Sequence, residues 1–93
     1  MTYIVQKFGG TSVADLDRIQ HVASKVREEA SKGNKVAVVV SAMAGETNKL
    51  NEWANQLGGS NLNAEYDVIV SSGEQVTSGL LALHLNKIGI NAR

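Results

Sequence analysis

Apolar positions fall along this chain in two rhythms. A short run, Tyr3-Ile4-Val5, leads into Gln6-Lys7-Phe8 and predicts a first strand. From Leu16 the period changes: Leu16, Ile19, Val22, Ala23, Val26 and Ala30 recur on one face of an α-helix, which Gly33-Asn34 ends. Ser12 and Asp15 stand three residues apart at its start, so either the two form a capping box or Asp15 is itself the N-cap. Val36-Ala37-Val38-Val39-Val40 is β-branched and apolar with no polar alternation, which predicts a strand covered on both faces in a parallel sheet. Strand, helix and strand make a βαβ unit, whose right-handed crossover brings both strand ends to one edge of the sheet.

Beyond Val40 the pattern is helical again. Thr47 or Asn48 caps a short helix with Leu50, Trp53, Ala54 and Leu57 on one side, and Gly58-Gly59-Ser60-Asn61 breaks it. Trp53 is expected in the core. Val68-Ile69-Val70 has local strand propensity, whereas Val76, Leu80, Leu81, Leu83 and the stretch from Leu85 to Ile88 repeat with a helical period. One helical stretch kinked near Gly73 accommodates both, with Gly89 closing it and Ile90 opening a third strand. A sheet left unfinished at Arg93 would have uncovered edges, so residues 1–93 are expected to form the front of a larger domain.

Composition narrows the chemistry. Nine Lys+Arg balance nine Asp+Glu among 93 residues, so no basic field exists for nucleic acid or an anionic membrane. An anion must be held by local geometry instead. The chain has no cysteine, which removes disulfides, thiol nucleophiles and Cys-type zinc sites. No stretch reaches the apolar length of a membrane span or a secretory signal, and a cytoplasmic protein is expected.

The candidate chemistry sits where the first strand ends. Lys7-Phe8-Gly9-Gly10-Thr11-Ser12 joins a cation to two glycines and two hydroxyls just ahead of a helix. Glycines let backbone N–H groups approach phosphate oxygens, and a helix N-terminus adds partial positive charge. Neither G-x-x-x-x-G-K-[ST] nor G-x-G-x-x-G occurs, which argues against a P-loop or a dinucleotide-binding fold. The second strand ends in another small-residue loop, Ser41-Ala42-Met43-Ala44-Gly45, and open α/β sheets bind ligands outside the carboxyl ends of their strands.

Three segments in order, Val5-Gln6-Lys7-Phe8-Gly9-Gly10-Thr11-Ser12-Val13, then Val38-Val39-Val40-Ser41-Ala42-Met43-Ala44-Gly45 with Thr47-Asn48, then Ser72-Gly73-Glu74, resemble the front of the aspartokinase branch of the amino-acid kinase family. The resemblance implies an α/β chain that is the N-terminal part of a three-layer αβα fold with a mostly parallel sheet. It also implies transfer of the γ-phosphoryl group of ATP to the side-chain carboxylate of L-aspartate, the entry to lysine, methionine and threonine synthesis. Lys7 would be catalytic, and Lys7, Phe8, Gly9 and Gly10 would hold the nucleotide. Ser41 and Thr47 would orient the aspartate carboxylate, with Glu74 receiving the α-amino group. ATP chemistry implies Mg2+, for which no ligand is identified in this sequence. His21 and His84 lie far from these motifs and receive no catalytic role. The family's nucleotide-holding half and its regulatory ACT domains have no counterpart among these residues, so the piece alone is expected to be inactive and the parent homo-oligomeric. Two other readings share the motifs: a relative phosphorylating another acceptor such as glutamate, or a non-catalytic α/β module that binds an anion.

Overall fold

Strand β1 (Tyr3–Phe8), helix α1 (Leu16–Ser31), strand β2 (Lys35–Val40), helix α2 (Glu46–Gln56) and helix α3 (Ala64–Lys87) follow one another in a computed structural model that describes residues 2–58 and 64–93. Of the break expected at Gly58-Gly59-Ser60-Asn61, Gly58 follows the end of α2 with a left-handed φ of 85°, and the other three lie outside the described residues. β1 and β2 pair in parallel, in register from Tyr3 opposite Lys35 to Phe8 opposite Val40. Both strands therefore end together, as the βαβ pattern requires.

Helices α1 and α3 share one face of this sheet. Val13, Ile19, Val22, Ala23, Val26, Leu81 and Leu85 form the buried cluster, with Phe8, Val36, Val38 and Val40 packed on it from the strands. The opposite face stays open: Tyr3 is 75% exposed and Val5 71%. β2 is thus covered on one face and not on two, because among the described residues every helix that touches it lies on the Val36, Val38 and Val40 side.

Local chemistry decides where the helices begin. Asp15 is the N-cap of α1, its Oδ1 accepting from the Arg18 amide at 2.9 Å. Ser12 is occupied elsewhere, its amide donating to the Gly9 carbonyl at 3.0 Å. Leu16, counted on the apolar face by its spacing, is exposed because it opens the first turn beyond the core. α2 starts at Gly45, and not at Thr47 or Asn48, because its cap has φ of 80°, a left-handed conformation suited to glycine. Trp53 is 55% exposed and not in the core. Its ring lies 5.1 Å from the Lys49 ammonium, and Lys49 also pairs with Glu46 at 2.9 Å. This places the indole on the rim of α2 as a cation–π platform.

α3 runs through Gly73 without a break, and the strand-like Val68-Ile69-Val70 is helical within it. Acidic Glu65 and Asp67 in its first turn and His84 and Lys87 in its last complement the helix dipole. Residues 90–93 form no strand. The Ile90 amide turns back to the Leu85 carbonyl at 2.9 Å, and Asn86 brackets Ala92 through its Nδ2 at 2.9 Å and its Oδ1 at 3.0 Å. The tail's backbone is thus tied to the end of α3 and does not pair with β2.

Candidate active site

The carboxyl edge of the sheet carries two loops fastened to each other. After β1, the Ser12 amide bonds to Gly9 and the Val13 amide to Gly10 at 3.3 Å, while the Val13 side chain is fully buried and anchors the turn. After β2, the Ser41 amide donates to the Phe8 carbonyl at 3.2 Å, and the Glu46 amide donates to the Met43 carbonyl at 3.1 Å. A Cβ at Gly10 would sit 3.5 Å from the Ala42 carbonyl oxygen, so a side chain there would meet the second loop at ordinary van der Waals distance.

Gly9 and Gly10 are not in the left-handed region, which here holds Gly33, Gly45, Gly58 and Gly89. Conformation therefore does not require glycine at either position. A Cβ on Gly9 would meet nothing within 4 Å, so the space a side chain would fill is open at the strand end. That is the geometry a phosphate needs to reach backbone N–H groups.

Lys7 stands on the exposed sheet face, opposite Val39, and among the described residues its ammonium pairs with no carboxylate. Phe8 alternates to the other face and packs its ring against the core, leaving its carbonyl to hold Ser41. Ser41 is half-buried, while Thr47 lies exposed in the first turn of α2.

The third segment arrives from α3. Gly73 is buried where a Cβ would stand 3.1 Å from Ala42 Cβ, 3.4 Å from Leu50 Cδ1 and 3.9 Å from Glu46 Cβ. Glu74 follows it on α3 and is exposed. Ala42 is the residue that a Cβ at either Gly10 or Gly73 would meet, through its carbonyl oxygen in the first case and its methyl group in the second. In the sequence, Ala42 and Gly45 are marked only by the density of small residues in that loop. Among the described residues no group of three or more His, Cys, Asp or Glu side chains is arranged to hold a metal ion.

The two loops after β1 and β2 and the start of α2 bring Lys7, the Gly9-Gly10 backbone, Ser41 and Thr47 toward the carboxyl end of the sheet, and α3 adds Gly73-Glu74. Such a set suits an anionic ligand next to a zwitterionic one.

The model of the amino acid kinase family matches residues 2–93. An aspartate kinase of Pseudomonas fluorescens is 53% identical over 99% of this chain, which covers 23% of that protein. An aspartokinase of Rickettsia conorii is 54% identical over all of it, covering 24% of that relative. The chain thus spans about a quarter of the length of these curated relatives. Among solved structures, aspartate kinase from Synechocystis superposes with a TM-score of 0.85 at 44% identity, over 94% of this chain and 15% of that one. Aspartokinase III of E. coli in complex with aspartate and ADP gives a TM-score of 0.71 at 25% identity, over 91% of this chain and 29% of that one.

Proposed function

We propose, from the premise that this chain belongs to the amino acid kinase family, that it is the N-terminal portion of the catalytic domain of an aspartate kinase. The protein would transfer the γ-phosphoryl group of ATP to the β-carboxylate of L-aspartate. The observation that carries the reading is the meeting of three segments on Ala42: the Gly9-Gly10 loop, the Ser41–Gly45 loop and the Gly73-Glu74 turn of α3. A relative solved with aspartate and ADP supports the choice of ligands.

The chemistry asks little covalent help from the protein. A carboxylate is already ionised near neutral pH, so the nucleophilic oxygen needs no base to deprotonate it. The bond from its oxygen to the γ-phosphorus forms as the bond to the bridging oxygen of ADP breaks, and the product is an acyl phosphate. What the reaction demands is alignment and neutralisation of negative charge on the transferring group. Lys7 supplies a compact ammonium for that charge. The amides of Gly9 and Gly10 receive phosphate oxygens at the open space beside Gly9. Phe8 sets this loop through its backbone. Ser41 and Thr47 donate hydroxyl hydrogen bonds to the acceptor's carboxylate, and Glu74 accepts from its α-ammonium.

Magnesium is proposed to enter with the nucleotide phosphates, where it would neutralise charge. Among the described residues no group of three or more His, Cys, Asp or Glu side chains is arranged to hold it. No helix among the described residues is long and apolar enough to cross a membrane. A cytoplasmic homo-oligomer whose product feeds lysine, threonine and methionine synthesis completes the proposal, and the open sheet face at Tyr3 and Val5 is where further layers of the domain would pack.

The test uses the full-length protein with ATP and hydroxylamine, which traps acyl phosphates as coloured hydroxamates. Hydroxamate is expected with L-aspartate. Hydroxamate with glutamate and none with aspartate would reject this acceptor.

A further inference from the structure

A glycine inside a helix is a cost unless something requires it, and Gly73 lies inside the 24-residue α3. Its φ is not left-handed, so backbone conformation is not the reason. The reason is proximity: a Cβ there would stand 3.1 Å from Ala42 Cβ, closer than side-chain carbons ordinarily approach. Leu50 Cδ1, at 3.4 Å, is the end of a flexible side chain and can swing away. Ala42 cannot. It is 5% exposed, and its loop is pinned on one side by the Ser41 amide on Phe8 and on the other by the Glu46 amide on Met43.

We propose that the Gly73–Ala42 contact is a positioning device: it sets the distance between α3 and the β2–α2 loop, and so fixes where the Glu74 carboxylate stands relative to Ser41. This rests on the aspartate kinase reading. Neither residue touches substrate in this scheme; each acts by letting the other come close. An added methyl group must be absorbed by α3 moving outward, which carries Glu74 with it, or by the loop moving away from α3.

The experiment is a double-mutant cycle in the full-length kinase with Gly73→Ala, Ala42→Gly and the two combined. Gly73→Ala is expected to raise the aspartate KM about tenfold, short of the roughly hundredfold that an ångström of misplacement can cost. The KM for ATP should hold within about twofold if the first loop is undisturbed. Ala42→Gly removes the methyl that the new Cβ would meet, so the double variant should recover most of the aspartate KM. A purely structural glycine predicts otherwise: alanine would raise the melting temperature through its better helix propensity and leave aspartate KM alone. Unchanged aspartate KM in Gly73→Ala, or no recovery in the double variant, overturns the proposal. If Gly73→Ala does not fold, Ala42→Val, which crowds the contact from the loop side, must reproduce the selective loss for aspartate. A wild-type protein that does not phosphorylate aspartate rejects the enzymatic reading instead, so the two failures are distinguishable.

Discussion

The amide of Ser41 donates to the carbonyl of Phe8 across 3.2 Å, carrying the parallel β1–β2 ladder one residue past the end of β2. This bond fixes the second loop against the first. It also fixes Lys7, which precedes Phe8 and points to the opposite, exposed face. Lys7→Ala in the full-length enzyme should therefore remove a charge without disturbing the core that Phe8 holds. Turnover is expected to fall by about two orders of magnitude or more, equivalent to about 3 kcal/mol of transition-state stabilisation. Aspartate KM should change far less. A near-normal kcat would return Lys7 to the status of a surface lysine.

Glu74 is assigned to the substrate's α-ammonium and not to the nucleotide. Glu74→Gln keeps size and removes charge, and should weaken aspartate binding by about 1.5–3 kcal/mol, the range for a hydrogen bond to a charged group. ATP affinity should be little altered. Calorimetric titration of both ligands into the variant separates the two, and a loss confined to ATP would move Glu74 to the nucleotide or metal site.

The α1 cap gives a stability prediction independent of function. Asp15 Oδ1 accepts from the Arg18 amide, and α1 supplies four of the seven residues in the buried cluster: Ile19, Val22, Ala23 and Val26. Asp15→Ala should cost about 0.5–2 kcal/mol in chemical denaturation, with Asp15→Asn retaining most of it because an amide oxygen caps as well. Equal losses in both variants would mean that the carboxylate acts on the helix dipole and not through this hydrogen bond.

Much of this architecture was legible in the sequence because it is local. The period of α1, the run of β2 and the loops after both strands follow from spacing alone, and they place Lys7, Gly9, Gly10 and Ser41 on one edge. Val68-Ile69-Val70 was ambiguous because short apolar runs carry no period, and membership in the long α3 decided it. Trp53 and Leu57 misled for the opposite reason. Their spacing marks an apolar stripe, but what that stripe packs against is a tertiary matter, and α2 buries only Ala54 fully. Residues 90–93 form no strand, and the Ile90 amide and the Ala92 amide and carbonyl bond to Leu85 and Asn86. Gly73 and Ala42 stood within recognised motifs, yet a contact between residues 31 positions apart has no local signature.

Two glycines near the site, alike in sequence context, separate conformation from ligand approach. Gly45 has φ of 80° and nothing within 4 Å of a Cβ, so alanine there meets no clash and suffers only the left-handed backbone, at about 1–2 kcal/mol. Gly45→Ala should lower stability by that amount and, because Gly45 starts α2, loosen Thr47 with it. Gly9 also has open space around its Cβ position but no left-handed φ, so alanine is tolerated by the fold. Gly9→Ala should leave unfolding free energy within about 0.5 kcal/mol of the parent, the range for surface changes away from special features. Its methyl group would nevertheless occupy the space proposed for phosphate, and ATP affinity should fall by about tenfold or more, as expected when a close backbone approach is blocked. Denaturation and ATP titration on both full-length variants give a crossed result: stability lost with Gly45→Ala, nucleotide lost with Gly9→Ala. Should Gly9→Ala bind ATP normally while remaining as stable as the parent, the phosphates lie elsewhere and the first loop is a turn.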